Sequence, residues 1–301
     1  MSLSKTFSRL YGALGRLAYN ATIALEARLY GLRKVVVDVG DSRMVTYQGG
    51  PANAAETVVM VHGFSADKVV WVRFAKHFTQ RYRVLIVDLP GHGETAYDPA
   101  LSYHVTTQAQ RILRAMDALG IARAHIVGNS MGGFIAARLA HDHPERLRSA
   151  TLVDPAGVHS PQPSDMERLL AQGRNAFQVH NQAEFRQFYA MTMARPPWLP
   201  GMALHAVGER YIAQREQLAH IFQHFFGVGM LDDQLGNIRM PVLVLWGRHD
   251  RLLHVSAAAV WARGIPGARQ IVYDDLGHMP MLEAPTRAAR DVRAFIESVA
   301  P

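Results

Sequence analysis

AHIVGNSMGG, residues 124–133, carries an apolar run, Ile126 and Val127, into Gly128-Asn129-Ser130-Met131-Gly132, and a helical pattern follows from Phe134 to about His141. The order is strand, sharp turn, helix, with a serine at the turn. Glycines on both sides of Ser130 fit the G-x-S-x-G nucleophile elbow, where they leave room for a strained backbone that lifts the serine hydroxyl above the sheet edge. Met131, the next residue, begins a helix, so its backbone N–H can face a developing oxyanion. Five residues alone are a weak signal, and the flanking strand and helix strengthen it.

A serine hydroxyl is barely nucleophilic at neutral pH, so it needs a base within hydrogen-bond reach and a group that orients the base. After such an elbow these partners are expected in the order Ser, acid, His, each just past a strand. Asp250 follows an apolar strand at 241–246, and His278 follows the last strand, 268–273. Ser130 is therefore expected as nucleophile, His278 as general base and then acid, and Asp250 as the orienting carboxylate. Asp154 is a rival acid because it too ends a strand, at 149–153, and Asp250 could instead be a turn residue paired with Arg248 or Arg251. His62 and His92 read as loop-shaping residues rather than bases. The second oxyanion donor is expected at the backbone N–H of Phe64, in the loop after the strand at 57–61, opposite that of Met131.

Working outward, residues 34–38 and 43–47 look like a hairpin, and strands at 57–61 and 84–87 alternate with helices near 69–79 and at 104–119. That alternation predicts an α/β fold with a mostly parallel, doubly wound sheet. Between 158 and 237 it breaks into helices near 164–172, 182–193 and 202–226, read as a cap that would enclose an apolar pocket. Met191, Met193, Trp198, Met202, Phe222, Phe225, Phe226 and Met230 fall here, each more simply read as core than as a ligand contact. A helix at 285–299 closes the chain. The expected divisions are an N-terminal helix at 1–34, a core in two parts at 35–157 and 238–301, and the cap at 158–237.

The 301 residues, 49% hydrophobic and 19% charged, describe an ordinary globule. With no cysteine there is no disulfide, thiol nucleophile or thiolate metal site. No HExxH or paired Asp/His spacing stands out, so neither a metal nor a cofactor is expected. Of the net charge of +7, residues 1–34 contribute +5, which argues against a nucleic-acid-binding body.

Residues 1 to about 30 read as an amphipathic helix. Leu3, Phe7, Leu10, Leu14, Leu17, Ala21 and Ala24 form an apolar stripe widened by Tyr11, Ala18 and Leu25, with Lys5, Arg9 and Arg16 on its flanks. Asn20, Thr22 and Glu26 interrupt any run of the ~18 apolar residues that a spanning helix needs, and Asn20 and Glu26 spoil a signal peptide as well. The stripe suits a helix lying in the membrane surface, with packing on the protein's own body or pairing in a homodimer as the other readings. The expected location is peripheral on a membrane and otherwise cytoplasmic.

In HGF at 62–64, DLPGHGET at 88–95, GNSMGG at 128–133, WGRHD at 246–250 and GH at 277–278, the chain resembles the α/β-hydrolase superfamily over residues 35–301. A serine rather than an aspartate at the elbow speaks against the haloalkane dehalogenases and epoxide hydrolases of that fold. HGFSADKVVW at 62–71 together with GNSMGG looks like bacterial lipases and the monoacylglycerol lipases that carry an N-terminal membrane segment. That likeness implies a carboxylic-ester hydrolase acting on monoacylglycerols or (lyso)phospholipids, although the N-terminus lacks a clear spanning segment. GNSMGG and WGRHDR also resemble hydrolases that cleave carbon–carbon bonds in meta-ring-fission products, but those tend to carry Trp after the catalytic His, where this chain has Met279. A non-catalytic ligand-binding protein is a third reading, disfavoured by the intact Ser, His and Asp set.

Overall fold

The computed structural model describes the backbone of residues 3–299 and the side chains of residues 11–299. The side chains of Leu3, Lys5, Phe7, Arg9 and Leu10, and the last two residues, lie outside the described part. Eight strands form one sheet: β1 (Arg33–Asp38), β2 (Arg43–Gly49), β3 (Thr57–Val61), β4 (Arg83–Val87), β5 (Ala124–Asn129), β6 (Leu147–Val153), β7 (Val242–Gly247) and β8 (Arg269–Tyr273). Their spatial order is β1-β2-β4-β3-β5-β6-β7-β8. β1 and β2 form an antiparallel hairpin, β2 also runs antiparallel to β4, and every later pair is parallel.

The period of the strands places the helices. Val59 and Val61 point into one apolar cluster, Val58 and Met60 into the other, so a continuous apolar run is buried on both faces. α1 (Leu3–Leu29) and α2 (Val72–Ala75) precede α3 (Val105–Ala118) and α4 (Met131–Asp142), and the last two cover the first face. α5 (Asp165–Ala171), α6 (Gln182–Thr192) and α7 (Gly201–Phe225) are inserted between β6 and β7, with α6 lying against α7. α8 (Ser256–Gly264) joins the first face, and α9 (Pro280–Glu283) leads into α10 (Pro285–Val299) on the second. α10 buries Ala288, Ala289, Val292, Phe295 and Ile296, an i, i+1, i+4, i+7, i+8 stripe that follows the 3.6-residue period.

The helix expected at 69–79 is shorter than the sequence pattern. A 3-10 turn, Lys68–Trp71, precedes a single α turn at α2, and further turns run on to Tyr82. The Asp67 carboxylate accepts the Val69 N–H and tightens the start, while three valines at 69, 70 and 72 are poor helix formers. Packing nevertheless holds the segment, since Trp71, Phe74, Phe78 and Tyr82 form a buried chain of rings beneath the sheet. α8 had no counterpart in the sequence reading.

α1 packs against α7 and α2. Its inward face is made mostly of small and polar residues, with Ile23 reaching the pocket wall. Gly15 sits against the Met202 carbonyl, closer than any Cβ would allow, and Gly12 leaves no room for one beside Glu209. Arg16 Nη1 donates to Glu209 Oε2 at 2.6 Å, Glu26 takes a bidentate grip from Arg73, and Ala27 is buried. The apolar stripe faces the other way, with Leu14, Leu17, Leu25 and Leu29 exposed, Leu17 at 72% and Leu29 at 71%. Body packing and the apolar stripe thus use opposite sides of one helix. No helix among the described residues is long and apolar enough to cross a membrane.

Candidate active site

β5 delivers Ser130 to the start of α4 at φ 56° and ψ −118°, a backbone region that residues with a side chain rarely adopt. Glycines make the turn possible. A Cβ on Gly128 would overlap the Gly132 carbonyl, and one on Gly132 would overlap the Val61 carbonyl and lie 2.6 Å from that of His62. The elbow is tied from outside as well: Ser130 N–H donates to Val153 O at 2.9 Å, and Ala156 N–H donates to Ser130 O at 3.1 Å.

His278 and Asp250 come together in the loops that follow β8 and β7. His278 Nδ1 lies 2.6 Å from Asp250 Oδ2, and both residues are buried. An ionised carboxylate only accepts, so Nδ1 carries the proton and Nε2 is left as the acceptor on the other side of the ring. Asp250 Oδ1 accepts the N–H groups of Leu252 and Leu253 at 2.8 and 3.0 Å, which fixes the carboxylate plane. The alternative arginine pairings do not form: Arg248 pairs with Asp274 and Arg251 with Asp165. Asp154 does not take the histidine's hydrogen bond, and its Oδ1 accepts Gly247 N–H instead.

Ser130, His278 and Phe64 line one pocket. The loop after β3 passes so close to the elbow that a Cβ on Gly63 would lie 3.0 Å from Ser130 Cβ. Among the described residues the backbone N–H groups of Phe64 and Met131 have no hydrogen-bond partner, so two donors are unspent beside the serine. His62 and His92 shape this loop. His62 Nδ1–H donates to Gly63 O, and Nε2 accepts Leu89 N–H at 3.0 Å. Burial keeps both rings neutral and pushes His92 down to about 3.

Beneath the loop lies a buried ion pair. Lys68 Nζ donates to Asp88 Oδ2 at 2.5 Å, and the same carboxylate accepts the Lys68 and Glu94 N–H groups. This joins residues 62–68 to residues 88–95.

Two residues that the sequence did not single out hold the histidine. Asn129 Nδ2 donates to the backbone carbonyls of His278 and Val153 at 3.0 and 3.2 Å. Glu283 accepts N–H groups from Gly277 and Met279 on the histidine loop and from Ala194 and Arg195 beyond α6. Asn129 was visible as the second residue of the elbow motif. A glutamate on a short helix gives no such signal.

The pocket has two ends. Phe64, Phe177 and Phe188 form a chain of rings with centroids 4.9 and 5.0 Å apart, and Leu252, Met279 and Leu282 add apolar lining elsewhere in the pocket. Toward α1 the lining turns polar, with Tyr19 and Glu26 of α1 beside Arg73, Asp67 and Arg210. Arg210 Nη1 donates to Asp67 Oδ2 at 2.6 Å. Burial alone would raise the Asp67 carboxyl, but the Arg210 charge and the Val69 N–H hold it below its ordinary range. The expectation for the inserted helices divides: Met191, Met193 and Phe225 are buried, whereas Trp198 is 83% exposed and Phe226 is also at the surface.

The sequence profile of the alpha/beta hydrolase fold family matches residues 56–285. The chain belongs to the α/β-hydrolase family. "Lipase 1" of Psychrobacter immobilis is 29% identical over 268 residues, covering 88% of this hydrolase and 83% of that protein. "Monoacylglycerol lipase abhd6-A" of Xenopus laevis is 28% identical over 272 residues, covering 84% and 79%. Among solved structures, a membrane phospholipase A described as a bacterial virulence factor superposes with a TM-score of 0.91 at 34% identity, over 95% of this hydrolase and 92% of that chain.

Proposed function

We propose that this α/β hydrolase is a serine carboxylic-ester hydrolase acting on lipid acyl esters, such as monoacylglycerols or (lyso)phospholipids. The observation that carries the reading is the strained Ser130 sharing one pocket with His278, which is itself paired with the buried Asp250, and with the rings of Phe64, Phe177 and Phe188. Similarity to proteins named as lipases, a monoacylglycerol lipase and a phospholipase supports the same substrate class.

In this reading Ser130 Oγ attacks the ester carbonyl as His278 Nε2 takes its proton. Asp250 stabilises the imidazolium that forms, and the Phe64 and Met131 N–H groups receive the oxyanion. Collapse of the tetrahedral intermediate breaks the bond to the alcohol oxygen, which leaves with the proton from His278 and gives an acyl-enzyme on Ser130. Water, deprotonated by His278, then releases the fatty acid. The phenylalanine end holds the acyl chain, and the polar end under α1 holds the head group. Residues 158–237 act as the cap that closes this pocket, on a core made of 35–157 and 238–301.

The outward stripe of Leu14, Leu17, Leu25 and Leu29, with Arg28 among them, supports docking of α1 in an anionic membrane surface, where apolar burial and attraction of basic side chains add. Placed there, the pocket lies next to its lipid substrates. The decisive test is hydrolysis of p-nitrophenyl esters from acetate to palmitate, with monoacylglycerols, lysophospholipids and a ring-fission dienone alongside, by the native protein and Ser130→Ala. Medium- or long-chain ester turnover that Ser130→Ala abolishes supports the reading. Fast dienone cleavage with feeble ester turnover refutes it in favour of a C–C hydrolase.

A further inference from the structure

Asp154 is left over from the chemistry above, yet nothing about its setting is casual. It is a non-glycine residue held at φ 44°, and it is completely buried. Asp154 N–H donates to Leu245 O at 2.8 Å, and the segment that follows bonds the elbow through Ala156 N–H. One oxygen of Asp154, one of Asp250 and a ring nitrogen of His278 lie within 4.8 Å of one another. Asp154 Oδ1 accepts Gly247 N–H at 2.9 Å, whereas Oδ2 is buried and finds no partner among the described residues. A buried acceptor with no donor is costly, and two facing buried carboxylates cannot both be ionised cheaply. A single proton removes both problems. Asp250 already receives three donors, from His278, Leu252 and Leu253, and so keeps its charge. The proton therefore belongs on Asp154 Oδ2, where it turns the orphan acceptor into a donor.

We propose that Asp154 is a neutral carboxylic acid that donates its proton in a hydrogen bond to Asp250, making it a positioning residue that extends the serine, histidine and aspartate set by one carboxyl. The groups that face it are Asp250, His278, the Gly247 N–H and, farther off, the Glu283 carboxylate. Burial first, and then the Asp250 charge, push its carboxyl well above the usual carboxylate range. The bond orients Asp250 toward His278 and disperses part of its charge. Asp250 thus stays a measured acceptor, and a second buried anion is kept away from the imidazole. The inference rests on the ester-hydrolase reading for the catalytic consequence, and not for the position of the proton.

The test uses the full chain with Asp154→Asn and Asp154→Ala. Infrared difference spectra at pH 7 should show in the native protein the carbonyl stretch of a protonated carboxyl, lost in Asp154→Asn. This readout needs no turnover, so it stands even where the ester-hydrolase reading fails. The asparagine amide is isosteric with the neutral acid, and it should keep kcat for p-nitrophenyl butyrate, and its pH profile, close to native. Asp154→Ala removes a donor to a charged group and should lower kcat about ten- to hundredfold. It should also move the acid limb of the profile to higher pH, because an undispersed Asp250 charge favours the imidazolium. Absence of the protonated-carboxyl band overturns the proposal. So does an asparagine variant as impaired as the alanine one, or an alanine variant with native kcat and pH profile. Where Asp154→Ala does not fold, the infrared band and the asparagine pH profile decide alone.

Discussion

Lys68→Met removes the cation of the buried ion pair under the loop that carries Phe64, together with its longer contact to Glu94 Oε2 at 3.2 Å. The Lys68 side chain is 3% exposed and Asp88 fully buried, and methionine retains most of the packed stem while removing the charge. Asp88 would keep its two backbone donors, at Lys68 and Glu94, but lose its countercharge. Breaking one side of a buried pair typically costs about 3–5 kcal/mol. In a chain of this size each kcal/mol lowers Tm by about 2 °C, so the variant should melt roughly 6–10 °C below native at pH 7. The deficit should depend on pH. Burial and the neighbouring Asp67 charge already hold the folded-state Asp88 carboxyl above its unfolded value, and loss of the Lys68 charge raises it further, so the variant loses more stability than native as pH rises through the carboxylate range. The Tm gap should therefore narrow toward pH 4, and Asp88→Asn added to Lys68→Met should recover part of it at pH 7. Scanning calorimetry at both pH values measures this, with kcat for a short-chain ester as a second readout, since Phe64 rides on the same loop. A gap under about 1 °C, or one that does not change with pH, would refute the role of the pair.

Asp250→Asn should preserve the fold and lower kcat roughly ten-thousandfold, because an amide in place of the carboxylate no longer selects the tautomer that leaves His278 Nε2 free to accept; steady-state kinetics with a circular dichroism control checks it. His92, neutral in the fold and pushed down to about 3, binds a proton only when the chain unfolds at mildly acidic pH, so stability should fall as pH drops from about 6.5. His92→Gln should reduce that slope by up to about 1.4 kcal/mol per pH unit in urea titrations. Gly132→Ala should abolish soluble folded protein or turnover, since its Cβ overlaps the Val61 and His62 carbonyls; full activity would contradict the elbow geometry.

The sheet was legible because strand period and motif position coincide. β3 and β5 are apolar runs ending in His62-Gly63 and Gly128-Asn129-Ser130, and such runs are buried only in a sheet covered on both sides. Chain order alone placed Asp250 and His278 past β7 and β8, and the 2.6 Å contact between them depends on strands that are neighbours in the sheet as well as in sequence. Other features were hidden for physical reasons. Residues 69–79 carry a helix-like apolar spacing, yet the period does not register that Asp67 caps a 3-10 turn. Arg210 and Glu283 act through hydrogen bonds to residues far along the chain, Asp67 for the first and Ala194 and Arg195 for the second, which leave no local pattern. The packing side of α1 is hidden for a similar reason, since Gly12, Gly15 and Glu26 carry no apolar period and make their contacts with residues far along the chain.

That two-sided helix determines how membrane docking must be tested. Removal of residues 1–30 would strip Tyr19, Ile23 and Glu26 from the pocket wall and leave Arg73 without its bidentate partner. Such a truncation should impair even a soluble short-chain ester, so its loss of sedimentation with membranes would not separate anchoring from a damaged site. Leu17→Glu with Leu25→Glu changes only the outward stripe. Each leucine contributes up to about 1.5–3 kcal/mol when fully buried in an apolar phase, and a glutamate adds repulsion from an anionic surface. Binding to vesicles rich in anionic lipid should fall more than tenfold, while p-nitrophenyl butyrate turnover in solution stays native. If vesicle binding is unchanged, the stripe does not face the membrane. If the native protein never binds vesicles and is dimeric, with the double variant monomeric, α1 is instead a pairing helix between two copies.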